Sequence, residues 1–323
     1  MIIAIGIAAL HGAGDTISGL IVMATVNVIN IVVSAALTIG IGPIPKLGWA
    51  GLSIGTAVAH IVGAVMILVL LRMGRGRLCL RYSMLKPDRA MIRRLLRIGI
   101  PGGLNEMVML CCHLWYLGII ASLGTITVAA HGLGVRVESP SYLTTWGFAV
   151  AASTMTGQFL GANDPDRAQR GTYMALAVGG TLVTLFGVFL FFGGHILVDF
   201  YLGSYQPGDG KAATAEMTTE LLKIVAISMP FLAIVSILSG ALRGAGDTTW
   251  PLIFTLLGLL LIRIPGAYWL AWDEIHLPWI DVTIQGFGYG VRGAWYVMVV
   301  DLAVRSMLVL GRYLHGGWKK IEV

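Results

Sequence analysis

Apolar residues run along this chain in long, nearly unbroken stretches, set apart by short polar segments. A helix crosses a bilayer core with about twenty apolar residues. Eight stretches meet that length, at roughly 17–40, 47–71, 98–123, 127–160, 170–201, 218–242, 250–272 and 287–311. Helices rather than strands are required, because a lone span in lipid must satisfy its own backbone N–H and C=O groups. Residues 1–10 read as the end of a further span. The rival reading, a signal peptide, lacks a basic start and a small-residue cleavage site.

The polar segments are punctuated for helix ends. In Gly161-Ala162-Asn163-Asp164-Pro165, either Asn163 or Asp164 accepts hydrogen bonds from the next helix's free N–H groups, and Pro165 suits its first turn. The pentapeptide Gly-Ala-Gly-Asp-Thr occurs twice, at Gly12–Thr16 and Gly244–Thr248. Each copy precedes an apolar span and then a glycine-spaced segment, Gly48-Trp49-Ala50-Gly51 in the first and Gly290-Val291-Arg292-Gly293 in the second. Such duplication is how many secondary transporters are built. The pentapeptide reads as a tight helix-to-helix turn capped by Asp15 or Asp247, with a part in gating as the alternative. Only eleven residues precede the first copy, against about 140 between the basic linker and the second. The first repeat is therefore expected to be N-terminally truncated and short of most of four helices.

With 57% hydrophobic residues, 12% charged residues and 43 glycines, the composition lies outside the range of soluble domains. The net charge of +6 raises nucleic acid as a partner, yet its distribution marks topology. Basic residues crowd Arg72, Arg75, Arg77, Arg81, Lys86, Arg89, Arg93, Arg94 and Arg97, and recur at Arg167, Arg170, Arg243, Arg312, Lys319 and Lys320. Those segments are expected in the cytoplasm. The alternate loops, carrying Lys46, then Asp209, Lys211, Glu216 and Glu220, then Asp273, Glu274 and Asp281, are expected outside. The boundaries that follow are 1–71 for the end of an N-terminal lobe, 72–97 for a basic cytoplasmic linker, 98–315 for a complete C-terminal lobe and 316–323 for a cytoplasmic tail.

Cys79, Cys111 and Cys112 have neither metal-ligand spacing nor a plausible disulfide partner, so all three read as structural. The chain has no His-Glu-x-x-His, Walker lysine motif or Gly-x-Ser-x-Gly, so neither an enzyme nor a metal or cofactor site is expected.

Particular motifs narrow this reading: Gly99-Ile100-Pro101, Ala129-Ala130-His131, Arg136-Val137-Glu138-Ser139 and Gly157-Gln158-Phe159-Leu160-Gly161-Ala162. Others are Leu242-Arg243-Gly244-Ala245-Gly246-Asp247-Thr248, Arg263-Ile264-Pro265, and Gly293-Ala294-Trp295 with Asp301 and Arg305. In these the chain resembles the multidrug and toxic compound extrusion family, over essentially its whole length. The resemblance implies an all-α polytopic membrane protein, a two-lobe helical bundle of twelve helices of which about eight complete ones are present here. It implies a monomer of the bacterial inner membrane that exports small organic cations or amphipathic molecules in exchange for sodium ions or protons. A lipid-linked oligosaccharide flippase of the same superfamily is the alternative, and it would need a strongly basic cavity.

A charged side chain in a span costs about 2.5–3.5 kcal/mol on insertion scales, so each must face the bundle interior or water. Glu106 follows Pro101 by five residues and shares a helix face with His113; it reads either as a buried coupling or substrate carboxylate or as one solvated near the helix entrance. Arg136 with Glu138, and Asp301 with Arg305, read as structural ion pairs, Asp301 being also a candidate for the coupling ion or proton, and Arg263 reaches either Glu106 or Asp301. His60, His113 and His131 are either proton shuttles or hydrogen-bonded filler. Asn27, Asn30 and Ser34 fall at helical spacing, and their oxygens suit a sodium ion. Relatives of the DNA-damage-inducible branch commonly carry an aspartate where this chain has Ser34. The sodium-coupled branch places an aspartate in the segment that here reads Met229-Pro230-Phe231-Leu232-Ala233-Ile234. Trp115, Tyr116, Tyr142, Trp146, Met107 and Met109 are candidate substrate contacts, since aromatic faces attract organic cations and methionine adapts to varied shapes.

Overall fold

The computed structural model describes all residues except 41–45, 75–77, 81–86, 207, 278–281 and 322–323. Arg75, Arg77, Arg81, Lys86 and Asp281, named above for their charge, lie outside the described residues, as does the side chain of Lys320. The chain divides into two units, Met1–Arg89 and Ala90–Val323.

The first unit holds α1 (Ile2–Gly12), α2 (Thr16–Ile39) and α3 (Trp49–Arg72). The buried positions of α3 are Gly51, Gly55, Ala59, Gly63 and Ile67, a stripe repeating every fourth residue. Small residues at that spacing let helix backbones approach closely, which replaces the hydrophobic drive that lipid removes. A Cβ on Gly51 would lie 2.7 Å from the Leu37 carbonyl carbon of α2. Leu10, Val22, Val26, Ala59 and Ile67 form the apolar centre of this unit.

The second unit holds α4 (Arg89–Ser122), α5 (Thr125–Gly161), α6 (Pro165–Leu202), α7 (Gly210–Gly244), α8 (Thr249–Leu256), a π-helical segment Leu257–Arg263, α9 (Ile264–Ala271) and α10 (Gly290–His315). Its two larger core clusters centre on α7, which buries residues along its full length against α5, α6 and α10. Glycines again set the spacing: a Cβ on Gly187 of α6 would lie 2.8 Å from the Met229 side chain, and one on Gly244 of α7 would strike the Ser153 backbone of α5.

Seven helical stretches among the described residues are long and apolar enough to cross a membrane, α8 to α9 counting as one. The remaining stretch expected to span, 127–160, is helical throughout as α5 but lies outside that set, being rich in Ser, Thr and Gly and carrying Arg136 and Glu138. A helix wrapped by its neighbours need not be apolar enough for lipid on every side. Of the basic segment 72–97, the residues Arg89, Arg93, Arg94 and Arg97 lie in the first turns of α4. An antiparallel hairpin, β1 (Glu274–Leu277) with β2 (Val282–Gln285), pairs Glu274 with Gln285 and Ile275 with Ile284 where no strand was expected.

The duplication is visible in the backbone. Gly14 and Gly246, the third residues of the two pentapeptides, have φ of 85° and 81°. Asp15 N–H bonds Leu10 O, and Asp247 N–H bonds Leu242 O, each at 2.9 Å. Both copies thus close one helix by the same left-handed glycine turn. Their aspartates then diverge. Asp15 caps α2 by accepting from Ser18 N–H at 3.0 Å, as expected, whereas Asp247 makes no cap bond to α8 among the described residues and takes Arg312 of α10 at 2.7 Å.

Candidate functional site: a buried charge cluster

The charges of the second unit converge where α10 meets the π-helical segment. One turn separates Asp301 from Arg305, and the guanidinium lies along the carboxylate, Nε to Oδ1 at 2.8 Å and Nη2 to Oδ2 at 2.7 Å. Arg263 adds a third contact, its Nη2 2.7 Å from Oδ2 of Asp301. The Asp301 side chain is 0% exposed. Two charge-assisted hydrogen bonds from Arg305 and the ion pair with Arg263 thus converge on one carboxylate.

Two sequence features make room for this arrangement. Gly258 sits against Asp301 and Arg305 so closely that a Cβ would collide with both side chains. The chain then widens into i→i+5 turns through Arg263, two residues before Pro265. Proline donates no N–H and crowds the carbonyl four residues earlier, so a wide turn before it relieves the clash. That turn is where Arg263 leaves the helix for Asp301.

Glu138 of α5 is 2% exposed, and its Oε2 has no hydrogen-bond partner among the described residues. Arg263 lies within Coulombic reach of it. The expected pair between Glu138 and Arg136 does not form: Arg136 is exposed, and no ion pair joins the two among the described residues. Residues two apart on a helix point to different faces. On the buried face of α5, His131 Nδ1 accepts from Trp295 Nε1 at 3.1 Å, and Trp295 packs into the gap left by Gly134. Tyr116 of α4, 2% exposed, meets the His131 ring at 5.9 Å. His131 is thereby a ring-packed hydrogen-bond acceptor.

Glu106 is exposed on α4, correcting the buried alternative. The neighbouring Asn105 turns inward, 5% exposed, and its amide approaches Glu106 Oε1 at 3.4 Å. His113, two turns on, is exposed on the same face. Of the substrate-contact candidates, Tyr116 is core, whereas Met107, Met109, Trp115, Tyr142 and Trp146 are exposed. Trp115 donates to Tyr268 Oη of α9 at 3.1 Å.

The first unit carries a separate polar group between α2 and α3. Asn30 Nδ2 donates to Thr56 Oγ1 at 3.2 Å, Ser34 Oγ donates to Asn30 Oδ1 at 3.4 Å, and His60 Nδ1 meets Thr56 O at 2.9 Å. Asn27 is exposed and outside it. Counting from the shared glycines Gly51 and Gly293, the places of Asp301 and Arg305 fall on Ala59 and Gly63 in the first copy. The charge cluster therefore belongs to the second repeat alone.

Sequence reading missed Gly258, Ser141 and Tyr268. The signal for Gly258 was a lone small residue in a leucine run five positions before Arg263. Nothing local marks Tyr268.

Long apolar helices, a duplicated turn and buried ion pairs together define a polytopic helical membrane protein. The MatE family model matches residues 101–269, a stretch that includes Glu106, Glu138 and Arg263, and the chain belongs to that family of multidrug efflux transporters. The probable multidrug resistance protein NorM of Thermotoga maritima is 29% identical over the whole of this chain and 65% of its own length. The probable multidrug resistance protein YoeA of Bacillus subtilis is 24% identical over 97% of this chain and 64% of its own. The chain thus spans just under two thirds of these relatives. The crystal structure of MATE in complex with MaL6 superposes with a TM-score of 0.83 at 18% identity, covering 99% of this chain and 67% of that one. A MOP superfamily transporter from Pyrococcus furiosus does so at 0.80 and 18%, covering 95% and 64%.

Proposed function

We propose that this chain works in a secondary active antiporter that exports cationic drugs or toxic metabolites in exchange for sodium ions or protons. Alternating access, in which a cavity opens to one side and then the other, supplies the cycle. The observation that carries this reading is the match to multidrug-resistance relatives along the whole chain, charged spans included. Glu106 is the carboxylate open to an arriving cation, with the exposed Met107 beside it on α4. Occupancy by either coupling ion or substrate, but not both, gives exchange.

The protein acts as a monomer in the bacterial inner membrane, with residues 72–97 and the C-terminus in the cytoplasm, as the basic residues there favour. Domain boundaries at 1–71, 72–97, 98–315 and 316–323 are part of the same proposal. A lipid-linked oligosaccharide flippase is the second reading. It is disfavoured by the mixed sign of the buried charges, two arginines with Asp301 and Glu138.

Competition binding tests the proposal. A fluorescent organic cation should bind the purified protein and be displaced by sodium ions or by protons. Binding of lipid-linked oligosaccharide, with none of the organic cation, would move the assignment to the flippase.

A further inference from the structure

Four buried polar atoms of the second unit lack hydrogen-bond partners among the described residues and belong to side chains gathered around the charge cluster: Glu138 Oε2, Ser141 Oγ, Tyr116 Oη and Arg263 Nε. Buried polar groups are normally satisfied, so four together ask for an explanation. Ser141 lies one turn from Glu138 on the same face of α5. Arg263 acts electrostatically on both Glu138 and Tyr116.

The two carboxyl groups differ in freedom. Asp301 is locked by three guanidinium contacts. Glu138 has an oxygen with no donor on it. With Arg263, Arg305 and Asp301 charged, the group carries one net positive charge, which an ionised Glu138 cancels and a protonated Glu138 leaves. The neighbours that set this balance are Cys112, His113 and Tyr116 from α4, Arg263 from the π-helical segment, and Asp301 and Arg305 from α10, with His131 and Tyr142 on α5 itself. The charged residues of α6 lie towards its ends, whereas α7 carries Glu216, Glu220 and Lys223 in its first half and Arg243 at its last turn.

We infer that Glu138 is a proton-binding site inside the second unit, distinct from Glu106. The ligand is a proton and not a metal ion. Sodium wants several hard oxygens, whereas the surroundings offer two guanidinium groups, which only donate and repel a cation. A proton needs one oxygen. In the exchange, the carboxyl O–H bond breaks, its electron pair stays on oxygen and the proton leaves to water, while Arg263 faces the new carboxylate. The Ser141 and Tyr116 hydroxyls are able to accept from the acid and donate to the anion. The inference rests on the antiport reading only for what the proton drives; the site itself rests on the geometry.

Infrared pH-difference spectra of the purified protein in lipid vesicles test it. A carbonyl stretch of a protonated carboxyl in apolar surroundings should titrate, vanish in Glu138→Gln, shift in Glu138→Asp and persist in Glu216→Gln, which alters an exposed carboxylate of α7. If Glu138→Gln fails to fold, the shift in Glu138→Asp makes the assignment. Absence of the band at every pH, or its persistence in folded Glu138→Gln or unshifted in Glu138→Asp, overturns the site. A band that behaves as expected in a protein whose export ignores a proton gradient upholds the site and overturns proton-driven transport instead.

Discussion

Arg263 and Asp301 meet at 2.7 Å although 38 residues and a hairpin separate them along the chain, because a π-helical turn swings the arginine toward α10. Asp301 is thereby shared between two guanidinium groups in a region expected to lie in the membrane. Breaking a buried pair by removing one partner costs about 3–5 kcal/mol, whereas replacing all members by apolar residues of similar size is often neutral. Asp301→Ala should therefore destabilise the protein by about that much, and replacing Arg263, Asp301 and Arg305 together by Met, Leu and Met should cost far less. Thermal unfolding in detergent checks the order. A triple variant no more stable than Asp301→Ala would contradict it.

Gly258 has its own prediction. Substitution by Ala places a methyl where Asp301 and Arg305 already sit. Overpacking costs about 1–3 kcal/mol, and Gly258→Ala should lose that much stability. Gly132→Ala, where a Cβ meets nothing within 4 Å, should be neutral by the same melting assay.

The two pentapeptides offer a matched pair. Ala at Gly14 or Gly246 forces a left-handed backbone on a residue with a Cβ, at a cost of about 1–2 kcal/mol in both places. The aspartates should not match. Asp15→Ala removes a helix cap worth about 1 kcal/mol. Asp247→Ala strips Arg312 of its carboxylate, leaving the guanidinium over the Trp250 ring at 5.3 Å, and should cost more. Equal losses from the two aspartate variants would contradict this division of roles.

One titration is readable outside the spans. The Tyr205 hydroxyl donates to Asp199, and that bond, followed by desolvation and the nearby negative charge, raises the phenol above its ordinary value. Because the folded state favours the protonated phenol, the contribution is present below the unfolded value and is lost as pH rises through the raised one. Ultraviolet titration should show one fewer late tyrosine in Asp199→Asn than in the parent protein.

The spans were legible because lipid imposes a length and an apolar composition that a sequence displays directly, and the duplicated turn because its glycines sit at fixed offsets. Asp301 and Arg305 are one turn apart, so their meeting follows from helix geometry. Arg263 had two candidate partners, and only tertiary packing through the π-helical turn selects one. The supposed Arg136–Glu138 pair failed on the same geometry, since residues two apart diverge on a helix. Glu106 lies next to Asn105 in sequence, yet Asn105 turns inward and Glu106 outward, a rotation no composition reveals. The β1–β2 hairpin escaped because its strands are four residues each, too short for their alternation to stand out beside the long apolar runs.

Export against a gradient is the central claim, and efflux of a cationic dye from vesicles, with sodium and proton gradients imposed separately, measures it directly. Efflux that follows one gradient and is abolished in correctly folded Glu106→Gln is the result predicted here. Absence of efflux under both gradients from folded protein, or export unchanged in Glu106→Gln, would contradict it.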